Sequence, residues 1–393
     1  MTKAAETPPR LRGLIVMPLG EALGGGEQML RQLLLRGRDD GIEWIVVFLR
    51  SGPMVEEARA LGVEVHLLEA GRFRNLIRRL SVIRRIVHLV RARGVDFCFG
   101  WMVAGQITAG FAALIAHVPC VWYQVGTPRP DWLDRMATAL PACGVLVLSR
   151  AGEVAQRRIW PSRPIRLVYP GTPLDALDAV RRIPPIELRA KLMLPPAGPL
   201  VGIVGRLQRW KGMHVFLDAV AILGRSRPDI HAVIVGGPHE TEPGYGDELR
   251  DQARALDVAG AVTFAGFQPN AAEWMQAMDV VVHASDDEPF GIVVIEAMAL
   301  GKPVVAGAGG GPAEIVTHGQ NGLLAAFGDA AALAAAIERY LADPGFAART
   351  GAAARERAQQ FSDVTYARNV VTAVRDVVEA STSPHTASRA PQA

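Results

Sequence analysis

Two carboxylates bracket a short loop at residues 288–296, which read Glu-Pro-Phe-Gly-Ile-Val-Val-Ile-Glu. Glu288 opens the segment, Pro289 and Gly291 suit a turn, and an apolar run leads to Glu296 and on into Ala297, Met298, Ala299 and Leu300. Proline is disfavoured inside a helix but suits its start. The spacing predicts a helix beginning near Phe290 or Gly291, with Glu288 at its mouth and Glu296 about 1.5 turns in. The free N–H groups of such a first turn favour an anion. The segment therefore offers a phosphate seat and two carboxylates able to accept hydrogen bonds from sugar hydroxyls. Glu296 sits among Ile292, Val293, Val294, Ile295 and Ala297, and a carboxylate in such surroundings needs partners.

A second group lies upstream. Gly205-Arg206 follow the apolar run 200–204, so they belong at the carboxyl end of a strand, where open α/β sheets bind ligands. Lys211 precedes a helical pattern of Val215, Phe216, Ala219, Val220, Ile222 and Leu223. Two cations on one loop suit a diphosphate; the alternative is a solvated loop with Arg206, Arg209 and Lys211 facing water. Gly309-Gly310-Gly311-Pro312 is either a close backbone approach to a ligand or a plain turn. Gly24-Gly25-Gly26-Glu27 follow the run 14–18 and open a helix bearing Met29, Leu30, Leu33 and Leu34, a second place suited to an anion. Asp286-Asp287 could be mistaken for a metal site, but adjacent side chains of an extended loop point to opposite sides. No metal is expected. A dinucleotide-type Gly-x-Gly-x-x-Gly and a P-loop are both missing, and Gly301-Lys302 runs into Pro303.

Taken together, these pieces resemble the retaining family 4 glycosyltransferases. The segment 288–306 is similar to the family's carboxyl-terminal E-P-F-G-x4-E signature. Gly205-Arg206 with Lys211-Gly212 resembles its diphosphate loop. Gly309-Gly310-Gly311-Pro312-x-Glu314-Ile315-Val316 with Asn321-Gly322-Leu323-Leu324, and Gly25-Gly26-Glu27, are similar to two further motifs. The likeness runs over residues 12–378. It implies a GT-B architecture, with two doubly wound Rossmann-like domains facing across a cleft and a last helix, about 362–378, crossing back onto the first domain. It also implies that Arg206 and Lys211 bind the donor diphosphate and stabilise the leaving phosphate, without metal or cofactor. Glu288 is implied to meet the transferred sugar and Glu296 the donor ribose. Gly25, Gly26, Gly205, Phe290 and Gly291 complete the expected donor site, and Glu27, Gln124 and Arg129 are the acceptor-side candidates.

The sequence departs from the family in its first half. Where a His usually precedes a Gly, this chain has Val125 before Gly126, and Trp101-Met102 stand at the other usual His position. His88 and His117 fall in helical stretches. Gln106, Tyr123, Gln124, Arg129 and Asp131 are the polar groups left for that pocket. The departure leaves open how the acceptor hydroxyl is oriented.

The elements needed to position these residues are legible. Short apolar runs at 14–18, 44–49, 63–67, 97–100, 121–124 and 145–148, then at 200–204, 232–235, 262–265, 280–283 and 303–306, alternate with longer amphipathic stretches. Such runs imply parallel strands covered on both faces, hence doubly wound sheets. With 393 residues two domains are expected: 12–180 on the acceptor side, 185–360 on the donor side, a Pro-rich hinge at 170–185, and disordered ends at 1–11 and 381–393. Hydrophobic content of 50% with 21% charged residues is globular. No apolar stretch is long enough to span a membrane, and Met1–Arg12 lack a signal-peptide core. Cys98, Cys120 and Cys143 lie in apolar surroundings without a C-x-x-C and read as free thiols, favouring a cytoplasmic setting.

The net charge of +3 hides an asymmetry. Residues 1–184 hold 25 Lys+Arg against 16 Asp+Glu, a net +9, and residues 185–393 hold 17 against 23, a net −6. Nucleic acid is not expected as a partner, because stacking aromatics and nucleic-acid motifs are missing. Residues 72–93 carry eight Arg and no acid. Phe73, Leu76, Ile77, Leu80, Ile83, Val87 and Val90 recur there at helical spacing. Two readings stand: a solvated Arg face over a buried stripe, or a dock for an anionic membrane at the inner face of the plasma membrane. The expected activity is transfer of a hexose-type unit from a nucleotide diphosphate sugar to a lipid-linked or glycan acceptor in envelope or exopolysaccharide assembly. The rivals are a nucleotide-sugar epimerase or hydrolase, and a non-catalytic nucleotide-sugar-binding protein.

Overall fold

A computed structural model describes residues 10–21, 24–37, 41–71 and 75–382. The chain divides into two compact units. One runs to Gly171 and resumes at Asp363; the other is Thr172–Ser362.

Each apolar run named above becomes a strand. In the first unit these are β1 (Leu11–Met17), β2 (Ile42–Phe48), β3 (Glu64–Leu67), β4 (Phe97–Trp101), β5 (Cys120–Gln124) and β6 (Gly144–Val147). A further strand, β7 (Ile165–Leu167), was not legible in the sequence. The sheet is parallel in the order β3-β2-β1-β4-β5-β6-β7. Leu14, Ile15, Val16 and Met17 of β1 are fully buried, as expected when helices cover both faces. Chain order reverses between β1 and β4, and the crevice outside the strand ends at such a point is where doubly wound sheets bind ligands.

The second unit repeats the plan. Its strands are β8 (Leu200–Val204), β9 (His231–Val235), β10 (Val262–Gly266), β11 (Val280–His283), β12 (Val304–Gly307) and the unexpected β13 (Leu323–Ala325), in the order β10-β9-β8-β11-β12-β13. Here the reversal falls between β8 and β11. Val201, Ile203, Phe216, Leu217 and Val220 lie in the core beneath it.

The boundary between the units lies earlier than the sequence suggested, so residues 172–180 group with the second unit. Thr172 N–H donates to Phe361 O at 2.9 Å, and Thr172 bridges to Ser362, which ties both ends of this unit together. The last helix, Asp363–Thr382, is four residues longer at its carboxyl end than expected, and it joins the first unit. Its Val370, Val371, Val374, Val377 and Val378 are buried. Arg36 pairs with Asp363 at 2.8 Å, and Arg375 donates to Gly41 O at 2.7 Å. Leu11 and residues 381–382, expected to be disordered, are strand and helix; the rest of those termini, 1–9 and 383–393, lie outside the described residues.

The Arg-rich segment forms the helix Leu76–Arg93, capped by Asn75, whose side chain accepts from Arg78 N–H at 3.0 Å. Val82, Ile86, Val87 and Val90 are buried. Leu76, Ile77 and Leu80 are not: they are 69%, 85% and 56% exposed. The buried stripe of the first reading therefore covers only the later turns of the helix. Val82, Ile86, Val87 and Val90 share one core cluster with Leu14 and Val16 of β1, Ile45 and Val47 of β2, and Ala109, Ala112 and Ala113, whereas Leu76, Ile77 and Leu80 lie outside it. Arg72, Phe73 and Arg74 lie outside the described residues.

Candidate functional site

The donor-side residues converge at the carboxyl ends of β8 and β11. Gly205 and Arg206 leave β8, Lys211 stands in a short turn at Arg209–Lys211, and Gly212 starts the helix Met213–Gly224. Gly212 has φ +75°, and a Cβ there would meet Ala284 O at 2.1 Å, so only glycine lets this turn press against the end of β11. Asp286 N–H donates to Trp210 O at 2.7 Å, which ties the two loops together.

Across that tie, Lys211 Nζ lies 2.5 Å from Glu288 Oε2, although the two residues are 77 positions apart. The Lys211 ammonium also lies 4.0 Å from the centre of the Trp210 ring, a cation–π contact. His283, the last residue of β11, places Nε2 3.2 Å from the same Glu288 Oε2. Burial works to raise the Glu288 carboxyl, but the Lys211 charge and the His283 hydrogen bond outweigh it and hold it well below the usual carboxylate range. Glu288 is therefore a buried, paired anion. Arg206 is half-buried and makes no side-chain ion pair or hydrogen bond within the protein. Arg209 is not part of the site: its guanidinium pairs with Glu248 and lies over Tyr245.

The helix expected near Phe290 or Gly291 runs Ile292–Ala299, with Gly291 at φ +101° as its cap. Glu296 is partly exposed and has no hydrogen-bond partner in the protein. Burial by the surrounding apolar groups pushes its carboxyl up to about 7. Phe290 turns its ring inward onto Phe361, with centroids 5.7 Å apart, so only its backbone is placed to meet a ligand. Gly205 N–H is committed to Val235 O at 2.9 Å, and Lys211 Cδ passes 3.7 Å from where a Gly205 Cβ would stand. Gly205 thus makes room for the lysine and is not placed to donate to an anion. The glycine loop 309–311 serves the same site from behind. Gly311 N–H donates to Glu288 O at 2.8 Å, and a Cβ on Gly310 or Gly311 would strike the backbone of Glu288 or Phe290 at 2.3 or 2.2 Å. Its glycines are needed for contact with the Glu288 loop.

The first-unit candidates fare differently. Gly25 and Gly26 open the helix Gly25–Arg36 at the end of β1. The Glu27 carboxylate is buried and turned back on Gly24, with Oε2 2.7 Å from a Cβ built there. Trp101 Nε1 donates to Gly26 O at 3.1 Å, and Met102 Cε and Val125 Cγ1 fill the space beside Gly26. The positions where the family places His are therefore an apolar cover on the Gly26 turn. Gln124 is buried and committed: it donates to Asp134 Oδ1 at 2.8 Å and its Oε1 faces Gly126 N–H at 3.5 Å. Tyr123 donates to Val168 O, Gln106 is fully buried, and Asp131 caps the helix Trp132–Ala139. Of the polar groups expected to line this pocket, only Arg129 presents an exposed, unpaired side chain. Asp134, unmarked by any motif, is the organiser, since its Oδ2 also accepts from Arg129 N–H at 2.9 Å.

The three cysteines are free thiols. Burial raises Cys98 to about 12 and Cys143 to about 11, so none is poised as a nucleophile.

Two doubly wound parallel sheets, the second with a cationic loop and two carboxylates, Glu288 and Glu296, near its switch point, define the GT-B class of glycosyltransferase folds. Residues 186–357 match the family described as glycosyl transferases group 1. Among relatives, the chain is 39% identical over 155 residues to the lipopolysaccharide core biosynthesis glycosyltransferase LpsE of Rhizobium meliloti, covering 39% of this chain and 43% of LpsE. It is 34% identical over 231 residues to a D-inositol 3-phosphate glycosyltransferase of Streptomyces avermitilis, covering 56% of this chain and 48% of that protein. The chain thus spans less than half the length of these relatives. Among solved structures, Anabaena HepE in complex with UDP and glucose superposes with a TM-score of 0.82 at 26% identity, covering 93% of this chain and all of HepE.

Proposed function

We propose that this protein is a retaining, metal-independent glycosyltransferase that uses a nucleotide diphosphate sugar in cell-envelope or exopolysaccharide assembly. The observation that carries the reading is the half-buried Arg206, without a partner in the protein, on the same loop after β8 as Lys211, a loop that Trp210 and Lys211 tie to the Glu288 segment at the β8/β11 switch point. Unpaired cationic charge in such a place suits a diphosphate. Glu296, lacking a partner, is suited to the ribose hydroxyls. In the transfer, the acceptor hydroxyl oxygen bonds the anomeric carbon as the bond to the phosphate oxygen breaks. That phosphate oxygen takes the hydroxyl proton, and Arg206 and Lys211 stabilise the diphosphate charge. Asp286 and Asp287 find no third ligand: no group of three or more His, Cys, Asp or Glu among the described residues could hold a metal ion. The names of LpsE and HepE support envelope glycans and a UDP-linked donor as first substrates to try.

The same reading includes an anionic membrane surface as partner. Leu76, Ile77 and Leu80 stand exposed beside Arg84 and Arg85, which are exposed and without ion pairs, whereas Arg78 and Arg93 are paired with Glu69 and Glu64. Apolar side chains flanked by unpaired cations fit a bilayer interface. Among the described residues no helix is long and apolar enough to cross a membrane.

The deciding experiment is a donor panel with and without membrane extract as acceptor. Sugar transfer with the anomeric configuration kept, in excess EDTA, is the expected result. Donor consumption without any acceptor would indicate an epimerase or hydrolase, and binding without turnover would indicate a binding protein.

A further inference from the structure

Glu288 is held by one oxygen only. Lys211 Nζ at 2.5 Å and His283 Nε2 at 3.2 Å both meet Oε2, while Oε1 has no hydrogen-bond partner in the protein and keeps contact with solvent. The carboxylate is otherwise buried. His283 is 3% exposed at the end of β11, with Ser285 Oγ also 3.2 Å from its Nε2. Its Nδ1 is buried with no partner. A ring whose Nε2 faces a carboxylate carries its proton there, so Nε2–H donates to Glu288 and Nδ1 is a bare acceptor. Lys211 cannot hold the carboxylate alone, because its flexible stem must also answer to a phosphate when donor binds.

We infer that His283 is the positioning residue of the donor site, fixing Glu288 through Oε2 so that Oε1 is presented to a hydroxyl of the transferred sugar. This rests on the reading of Glu288 as the partner of that sugar. The role falls to His283 because its ring is locked at a strand end, whereas Lys211 is shared between carboxylate and diphosphate. His283 should therefore govern recognition of the sugar and leave recognition of the nucleoside diphosphate alone.

Calorimetric titration separates the two. UDP-glucose, UDP-galactose, GDP-mannose and ADP-glucose are each compared with their own nucleoside diphosphate, and the pair that binds the wild-type protein is carried forward. The quantity followed is the ratio of the two dissociation constants. E288A and H283L should each shift that ratio at least fivefold against the sugar nucleotide, and H283Q, which keeps an N–H near the place of Nε2, should return it to within twofold of wild type. A shifted ratio in E288A with an unshifted one in H283L would overturn the inference and leave the reading of Glu288 intact. Equal weakening of both ligands by H283L, or no recovery in H283Q, would also overturn it. An unshifted ratio in E288A, or no binding of any pair, would remove the reading itself and the inference with it.

Discussion

Arg206 and Lys211 carry the same charge toward the same loop, yet their surroundings make their substitutions distinguishable. Arg206 has no partner to abandon, so Arg206→Ala should leave the melting temperature unchanged. Its donor affinity or rate should fall about 10- to 150-fold, the equivalent of a lost charge-assisted hydrogen bond of ~1.5–3 kcal/mol. Lys211→Ala should do the same and also destabilise, because it strands the buried Glu288; breaking such a pair costs about 3–5 kcal/mol. Parallel melting curves and titrations check both outcomes. Glu296 predicts a pH dependence. Burial raises its carboxyl to about 7, from an ordinary value of 4.5. The folded state thus binds the extra proton between those values, and stability falls as pH rises through that window. Glu296→Gln should therefore raise the melting temperature at pH 8 and leave it unchanged at pH 4, while weakening donor binding. In the wild-type protein donor affinity should rise from pH 6 to 8 as the carboxylate forms; a flat profile would argue against a ribose contact. The identity of these residues was legible because glycine, proline and charge sit at fixed spacings. The Lys211–Glu288–His283 cluster was not, since it joins two strand ends and no local pattern records which side chains meet. Gln124 was misjudged for the same reason: its partner Asp134 lies on the next helix, and only the fold shows that its amide is used.

Among the elements, the helix Leu76–Arg93 shows where periodicity stops being informative. Helical spacing marks a stripe, but burial depends on which turns meet the core of the unit, and the sequence of the helix does not carry where that core ends. The three-residue strands β7 and β13 escaped for a related reason: a run of three, with Arg166 in the middle of β7, is too short to show a period. The exposed end of the Arg-rich helix should bind vesicles containing anionic lipid in a salt-dependent way, each Arg near the surface contributing about 1 kcal/mol. Co-sedimentation should weaken with R84E/R85E and, separately, with I77E/L80E. Equal binding to neutral vesicles, or no effect of either pair, would leave a solvated helix. On the acceptor side, Val125 is half-buried against the Gly26 turn, so a histidine there keeps access to water. Val125→His should alter turnover or donor preference with little change in melting temperature; a large drop would mean that the apolar cover on Gly26 is structural.

For the whole molecule, the alternation of strand and helix and the change of charge between halves were enough to foresee two doubly wound units. The position of the boundary was not, because Pro170, Pro173, Pro184 and Pro185 mark a stretch and not a point, and the decision is made by Thr172 pairing with residues at the far end of its own unit. The last helix belongs to a sheet formed by the other end of the chain. Removing residues from Asp363 onward should therefore unfold the first unit and spare Thr172–Ser362; calorimetry should show one transition lost and one retained. The same connection has a consequence for biosynthesis. Domains generally fold as they leave the ribosome, amino-terminal first, at about 5–20 residues per second. Here the first unit emerges early but must wait for the whole of Thr172–Ser362 to be translated, roughly 10–40 s at those rates, before the helix that covers Gly144 and the end of β5 arrives. The donor-type unit is finished first, and the nascent amino-terminal sheet spends that interval with an apolar face uncovered, the stage at which this protein would lean most on a chaperone.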